Sequence, residues 1–308
     1  MLRTLAPIGV LVALVALVTA MSPGFLSPAS LGVVADQASV IVVLAAGQTM
    51  VILLGGIDLS VAAVVSLASV LLAYWLPKLG VAAIPAVLAI TTLIGALHGI
   101  AHVKAQVPSF IVTLGGLGIW SGVALSITDG RVIQINSGLG PIEWIGGQVG
   151  SVPNSFLLAL AVVAVTAAAM RWLPFGRRVR ATGLAEPAAR MAGIRVDRIK
   201  VGAFAYSGLC GGIGAIQLVA VQFSGSPVLG DYLLLPVLAA VLVGGTAITG
   251  GHGGPGRALV GALVVTVLSV GMSVVGVPSA YTNLVYGTVL VAAVIFTTRR
   301  VDFGAVVK

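Results

Sequence analysis

Charged residues are scarce in this chain of 308 residues: they make up 8% of it, against about 25% in ordinary soluble domains. A chain so poor in charge cannot cover its own surface with polar groups, which excludes a soluble globular protein. Aromatic residues are also few, at 6%. Hydrophobic residues reach 59%, and 41 glycines accompany them, as close helix packing in lipid favours. The composition therefore predicts an integral membrane protein.

Motifs for catalysis and metal binding are missing as well. The one cysteine, Cys210, lies in an apolar run, which excludes a disulfide framework and a CxxC metal site. The histidines, His98, His102 and His252, lack the spacing of a metal cluster. No cluster of Ser, His and carboxylate is visible in the sequence. The Gly-rich run 250–257 is not a Walker A loop and predicts a tight turn between helices. We therefore expect no catalytic residue and no metal site.

Long apolar runs fill most of the chain. A spanning helix needs roughly 20 mostly apolar residues. Ten segments meet or approach that length, at about 5–21, 31–54, 59–76, 81–103, 107–128, 154–173, 200–222, 236–249, 257–276 and 281–298. The segment 236–249 is short, which favours a broken or re-entrant helix. The sequence predicts an all-α polytopic membrane protein of about ten transmembrane helices, with residues 1–308 forming a single domain.

Basic residues lie mostly on one side of this ten-helix path, and cytoplasmic loops carry an excess of Lys and Arg. The richer side holds Arg3, Lys104, the cluster 177–200, Arg257, Arg299, Arg300 and Lys308. We therefore expect both termini and the loop 174–199 in the cytoplasm, and the loop 129–153 outside. The net charge of +8 reflects this bias and does not indicate nucleic-acid binding. A cleavable signal peptide over the first segment is an alternative.

A carboxylate, Asp58, lies where two apolar segments meet, just after the pair Gly55-Gly56. A charge within a span costs roughly 2.5–3.5 kcal/mol at the bilayer centre, so its presence needs a reason. Asp58 or Ser60 can cap the next helix by accepting from its free N–H groups. Asp58 can also line a pathway or gate, where irregular backbone is tolerated. The two roles are compatible.

Amide side chains within the spans also need hydrogen-bond partners, and they can bind a polyhydroxylated solute. Those least easily explained by packing are Gln48, Gln217 and Asn283. Together with the glycine–aspartate motif they give the candidate pathway or gate residues Gln48, Gly55, Gly56, Asp58, Ser60 and Asn283. A weak echo of the motif, Val243-Gly244-Gly245-Thr246 against Leu54-Gly55-Gly56-Ile57-Asp58, indicates either a duplicated unit or coincidence.

A short stretch with both signs of charge, 183–194, separates two long apolar segments. Pro187 suits a first helical turn, Glu186 the positive end of the helix dipole, and Gly193 a left-handed C-terminal cap. The sequence predicts a helix from Pro187 to Ala192, preceded by Gly183 and too short to be stable alone. Either it rests on lipid headgroups, or its small face, Ala188 and Ala189, inserts into a groove of a cytoplasmic partner.

Several motifs in the same order resemble one family. The run Gly55-Gly56-Ile57-Asp58-Leu59-Ser60-Val61 is similar to the Gly-Ile-Asp-Leu-Ser-Val signature of permeases in ribose-type sugar importers. These importers are driven by ATP-binding-cassette (ABC) subunits. The resemblance continues at 108–115, at 186–194 and at 243–251, and extends from about Ser22 to Thr297.

The resemblance implies a non-catalytic permease subunit of a bacterial inner membrane, with the type II ABC importer-like fold. It implies a second permease subunit, two cytoplasmic ATPase subunits or one fused pair, and an extracytoplasmic protein that delivers a monosaccharide or polyol. The ATPase partner would use ATP and Mg, and this chain would bind no cofactor. The helix that couples to the ATPase would comprise Gly183, Glu186, Pro187, Ala188, Ala189, Arg190 and Gly193.

The chain departs from the family at Ala185, at Ser121, and near Leu234 and Pro236, where related permeases often carry Asn, Arg and acidic residues. The sugar therefore stays open. An ion-coupled secondary transporter of a small polar solute is the alternative, with Asp58, read as the one acid near a span interior, as its ion site. A membrane-embedded enzyme lacks a reactive cluster.

Overall fold

The apolar segments form long helices that pack side by side. The structure is a computed structural model that describes residues 2–298. Its helices are α1 (Leu2–Met21), α2 (Pro28–Ile52), α3 (Val61–Leu79), α4 (Ala83–Ala105), α5 (Ser109–Thr128), α6 (Gly140–Glu143), α7 (Asn154–Trp172), α8 (Pro174–Leu184), α9 (Glu186–Met191), α10 (Val196–Gln222), α11 (Leu234–Val243), α12 (Pro255–Val274) and α13 (Thr282–Thr298). The predicted basic anchors Arg299, Arg300 and Lys308 lie outside the described residues.

Within residues 2–298, six stretches are long and apolar enough to cross a membrane by length and composition. One of them, Val61–Ala105, contains both α3 and α4. Three apolar stretches are shorter, at Ala6–Met21, Asp231–Val243 and Thr282–Ile295. These helices fit a polytopic helical membrane protein, but the predicted count of ten is not confirmed. The short helix expected within 236–249 is present as α11, which has 10 residues.

The core is built around α2 and α10. Every residue of α2 from Ala38 onward is buried, because helices α7, α10, α11 and α12 surround it. Helix α10 crosses α4 at very short range. A Cβ added at Gly95 would lie 2.1 Å from the carbonyl oxygen of Phe204, and one added at Gly208 would lie 2.1 Å from that of Thr91. Only glycine fits this crossing, which explains part of the glycine content.

Short strands join the loops at one end of the bundle. Strand β1 (Ile133–Gln134), within the loop after α5, pairs antiparallel with β4 (Ser224–Gly225), which follows α10. Strands β2 (Gln148–Val149) and β3 (Val152–Pro153) form a second antiparallel pair before α7. The loop backbone thus satisfies some of its polar groups by pairing, and the fold remains predominantly helical, as predicted.

Candidate functional site

Helix α2 ends at a sharp turn formed by the glycine pair. Gly55 adopts a left-handed conformation with φ of 75°, and the backbone nitrogen of Gly56 donates to the carbonyl oxygen of Val51 at 3.1 Å. This is the helix-ending pattern that glycine favours, because it has no Cβ to clash. The next residues stay non-helical until α3 begins at Val61. The predicted helix break is confirmed.

Asp58 lies inside this break and is 2% exposed. Its Oδ1 accepts from the backbone nitrogen of Ser60 at 3.0 Å and from the Ser60 hydroxyl at 2.6 Å. Its Oδ2 accepts from the hydroxyl of Ser207 on α10 at 2.7 Å. The predicted cap needs correction, since Ser60 is the N-cap residue and makes no side-chain cap bond to α3. Asp58 instead closes a local turn and ties the break to α10.

Side chains of α2 and α5 hold the backbone of the break by hydrogen bonds. Oriented with its nitrogen toward the carbonyl oxygen of Asp58, the Gln48 amide donates to that oxygen at 3.2 Å and accepts from the Asp58 backbone nitrogen at 3.1 Å. Hydroxyls of α5 accept from two further nitrogens: Ser109 Oγ from Ile57 at 3.0 Å, and Thr113 Oγ1 from Leu59 at 3.0 Å. The irregular segment therefore has partners inside the protein, as backbone at membrane depth requires.

His98 extends this network, and no sequence motif predicted its place there. The Trp120 indole nitrogen donates to His98 Nε2 at 3.0 Å, so that nitrogen is an acceptor and the neutral ring carries its proton on Nδ1. His98 Nδ1 then donates to the Ser60 hydroxyl at 3.1 Å, and Ser60 donates to Asp58. The expectation that no Ser, His and carboxylate cluster exists is therefore wrong. The proton order is opposite to that of a nucleophilic serine, because the histidine donates to the hydroxyl.

A second break of the same geometry follows α11. Gly245 has φ of 86°, and the backbone nitrogen of Thr246 donates to the carbonyl oxygen of Val241 at 3.2 Å. Gly55 is thus the counterpart of Gly245, and Gly56 that of Thr246. The echo predicted from sequence is a structural one, shifted by one residue, because the left-handed glycine sets the correspondence.

The two breaks meet at the end of α8. The backbone nitrogen of Gly251, after the second break, donates to the carbonyl oxygen of Leu53, at the first break, with a distance of 2.8 Å. Gly183 of α8 lies against both: a Cβ there would fall 1.8 Å from Leu53 O and 2.6 Å from Gly251 N. The Arg180 guanidinium of α8 also donates to the carbonyl oxygen of Gly253 at 3.2 Å. We call this contact of three segments the glycine junction.

The short helix α9 spans Glu186–Met191, close to the predicted Pro187 to Ala192. Gly193 has φ of 79°, which confirms its left-handed cap. Two predicted coupling residues are placed differently. Gly183 does not simply precede the short helix but belongs to the longer helix α8, at the glycine junction. Ala189 is 5% exposed, so it packs against this chain and does not face a partner; helix periodicity turns it away from exposed Ala188.

Three ion pairs among four charged side chains hold α9 against the start of α10. Glu186 pairs with Lys200 at 2.8 Å and with Arg190 at 2.9 Å, and Arg190 also pairs with Asp197 at 2.7 Å. Burial raises the pKa of Glu186, but the hydrogen bonds and charges of Lys200 and Arg190 outweigh burial and hold the pKa below its ordinary value. Glu186 and Arg190 therefore fix α9 within this chain.

The opposite side of α8 and α9 is apolar and exposed. It consists of Leu184, the last residue of α8, and of Pro187, Ala188 and Met191 on α9. Pro187 and Met191 are four residues apart and therefore share one face of α9. Met191 is 84% exposed and Leu184 is 60% exposed. We call these four residues the apolar coupling face. Sequence reasoning did not single out Leu184 or Met191, although the spacing from Pro187 is a signal for Met191.

Cavities divide the predicted pathway residues into two groups. Gly55, Gly56 and Glu186 line one cavity of about 260 Å³, which brings the break and α9 together. Asn283 is exposed and lines another cavity, of about 500 Å³, near the opposite end of α2. Gln48, Asp58 and Ser60 are buried and hydrogen-bonded instead.

The 500 Å³ cavity also contains an acid that the sequence reasoning missed. Asp36 lies on α2 within the predicted span 31–54, so Asp58 is not the one acid near a span interior. Its Oδ1 accepts from the hydroxyl of Ser155 at 2.7 Å. A carboxylate in an apolar run is the signal that identifies it.

Comparisons with known proteins agree with this architecture. Residues 30–294 match the family model described as "Branched-chain amino acid transport system / permease component". The chain belongs to this family. It is therefore a polytopic permease component of the inner membrane, and the predicted resemblance to ribose-type permeases is confirmed by the relatives that follow.

The relatives are sugar permeases of bacteria. The chain is 32% identical to the ribose import permease protein of Bacillus subtilis, over 97% of this chain and 94% of the relative. It is 34% identical to the ribose import permease protein of Haemophilus influenzae, over 92% and 90%. The fructose import permease protein of Rhizobium meliloti is 30% identical, over 88% and 78%. No solved structure is significantly similar to the chain.

Proposed function

We propose that this chain is the membrane-spanning permease subunit of an ABC importer for a monosaccharide or related polyol. It pairs with a second permease subunit, with two ATPase subunits or one fused pair, and with an extracytoplasmic binding protein that delivers the solute. The partner ATPase uses ATP and Mg, and this chain is not an enzyme. It is one membrane domain with the type II importer-like fold, about ten transmembrane helices and both termini in the cytoplasm.

One observation carries this proposal: the apolar coupling face lies on the same segment as the glycine junction. A helix of six residues is too short to be stable alone, so α9 needs the ion pairs of Glu186 on one side. Its other side leaves Met191 and Ala188 exposed to the solvent of the cytoplasmic loop. A groove in a soluble partner would remove this apolar surface from water.

The glycine junction gives that docking a mechanical consequence. The backbones of Gly183, Leu53 and Gly251 touch without intervening side chains, so a displacement of α8 cannot be absorbed by rotamer changes. It must move the ends of α2 and α11, where the two helix breaks lie. ATP-driven movement of the partner is thereby transmitted to the two irregular segments of the bundle.

The alternatives have less support. A secondary transporter needs an ion site, but both carboxylate oxygens of Asp58 accept hydrogen bonds from Ser60 and Ser207. Asp36, which lies within a predicted span, already accepts one from Ser155. An enzyme needs a reactive group near a cavity, but Ser60 is 1% exposed and donates its proton to Asp58. These features are those of a structural network.

The test is co-purification with the ATP-binding subunit, identified by the Walker A sequence in its peptides. We expect the wild-type chain to retain it and the Met191→Glu and Ala188→Trp variants to lose most of it. The matched controls should retain the ATP-binding subunit, because Met191→Leu keeps the face apolar and Ala188→Ser keeps the side chain small. Equal recovery with all four variants would show that α9 does not dock the ATPase.

A further inference from the structure

The cavity of about 500 Å³ lies among α2, α10, α11, α12 and α13. Its volume falls in the range of roughly 300–1,000 Å³ that is typical of small-molecule sites. Amide, hydroxyl and carboxylate groups line it, although the whole chain is only 8% charged. Tyr232 and Tyr286 also line it, and such rings offer an apolar face beside a polar hydroxyl.

Two buried polar atoms of the cavity wall have no partner. Gln217 and Thr266 are each 1% exposed, yet Gln217 Oε1 and Thr266 Oγ1 make no hydrogen bond within the described structure. A buried polar group without a hydrogen-bond partner destabilises the folded state. Both atoms lie just behind the cavity surface, so a small movement of the wall lets a ligand or water complete their hydrogen bonds.

A hydrogen bond to the backbone of α7 fixes the orientation of the Gln217 amide. Its Nε2 donates to the carbonyl oxygen of Ser155 at 2.7 Å, and the Ser155 hydroxyl donates to Asp36 at 2.7 Å. This chain of bonds leaves Gln217 Oε1 as an acceptor whose direction is set in advance. Preset acceptors of this kind favour a ligand that carries hydroxyl donors.

The charge of the wall defines the ligand further. Of the described residues that line the cavity, none is Lys, Arg or His, and Asp36 is the single acid. A carboxylate beside an apolar wall repels an anion and leaves a phosphate or carboxylate group of a ligand without a counter-charge. The lining thus disfavours acidic and phosphorylated sugars.

We propose that this cavity is a substrate site of the permease itself, which binds a neutral polyhydroxylated solute of monosaccharide size through Gln217 Oε1 and Thr266 Oγ1. The inference rests on the proposed function for its role in transport, since the solute arrives from a binding protein. It adds a second selection step, within the membrane chain, that favours neutral over anionic solutes.

A thiol placed in the cavity tests binding without any partner protein. The Thr282→Cys substitution puts a reactive group on the lining, and the one native cysteine, Cys210, is buried. We expect ribose, fructose or inositol at tens of millimolar to slow its labelling by a small maleimide about three-fold or more, as occupancy by a weak ligand requires. Ribonate, which is anionic, should give no protection. The Gln134→Cys variant, in β1 and away from the cavity, is the control.

Uptake by the reconstituted complex provides the second measurement. The Gln217→Leu and Thr266→Val variants should raise the KM for the solute about three- to ten-fold, the value of one neutral hydrogen bond. Thr128→Val removes a buried hydroxyl that bonds within its own helix, so it should leave KM unchanged. If Gln217→Leu fails to fold, Asn283→Ala at an exposed position of the same cavity replaces it.

The outcomes separate the two proposals. Protection of the thiol without ATP-driven uptake supports the site and rejects the importer function. Normal ATP-driven uptake in all cavity variants, together with no protection by any of the three neutral solutes, leaves the importer function standing and shows that the cavity holds water only. Protection by ribonate equal to that by ribose overturns the proposed selection against anions.

Discussion

Asp58 has a reason to be charged within an apolar bundle. A carboxylate offers two oxygens as acceptors, and here they receive hydrogen bonds from Ser60 and Ser207 on two different helical segments. A neutral apolar residue would leave those donors buried and unpaired. The acid is therefore compensated locally, and its role is to hold the break in one conformation against α10.

We expect Asp58→Leu to destabilise the protein by about 3 kcal/mol or more, because three donor groups lose their acceptor in a buried site. Asp58→Asn keeps one oxygen acceptor and should cost clearly less. Thermal unfolding of the purified chain in detergent checks both. Equal unfolding temperatures for wild type and Asp58→Leu would contradict the assigned network.

Glu186 makes the packing of α9 against α10 sensitive to low pH. Its pKa is lowered in the folded chain, so its stabilising contribution is complete above the unfolded pKa of about 4.3 and is lost as the pH falls through the folded pKa. Because about a third of the side chain is exposed, solvent screening limits the effect. Between pH 7 and pH 3.5, wild type should lose about 0.5–1 kcal/mol that Glu186→Gln does not lose. Unfolding curves with the same pH dependence in both proteins would reject this role.

At the scale of elements, the sequence predicted turns and caps, which depend on neighbouring residues. It did not predict contacts between residues far apart in the chain. The turn at Gly55 and the cap at Gly193 follow from backbone conformations that glycine alone adopts freely, so their neighbours in sequence suffice to identify them. The link from Ser60 to His98 joins residues 38 positions apart, and no local pattern encodes it. The terminal residues Glu186, Pro187 and Gly193 predicted a short helix at α9, but only the packing shows that Ala189 faces inward.

The glycine junction predicts a specific failure when α8 and the breaks are pushed apart. A methyl group at Gly183 would overlap the backbones of Leu53 and Gly251, so Gly183→Ala must shift α8. We expect ATP-driven uptake to fall about ten-fold or more while membrane insertion persists. A loss of about 1.4 kcal/mol in the coupling free energy already corresponds to a factor of ten. Gly256→Ala is the matched control, since its Cβ would meet nothing within 4 Å. If the two variants transport alike, the junction carries no coupling.

At the scale of the whole molecule, the composition already determines the environment, and the order of apolar segments determines most of the helices. What the sequence could not supply is which ends of those helices meet. The two breaks, at Gly55 and Gly245, contact one another and α8 because the chain folds α2 and α11 side by side. That convergence places the proposed ATPase contact and the irregular backbone at the same end of the bundle.

The most direct test of this account is uptake of labelled ribose and fructose into proteoliposomes that contain this chain with its ATPase partner and binding protein. We expect uptake that requires ATP inside, requires the binding protein outside, and is lost in Met191→Glu but not in Met191→Leu. An imposed proton or sodium gradient should have no effect. Uptake by this chain alone, driven by such a gradient without ATP, would contradict the account.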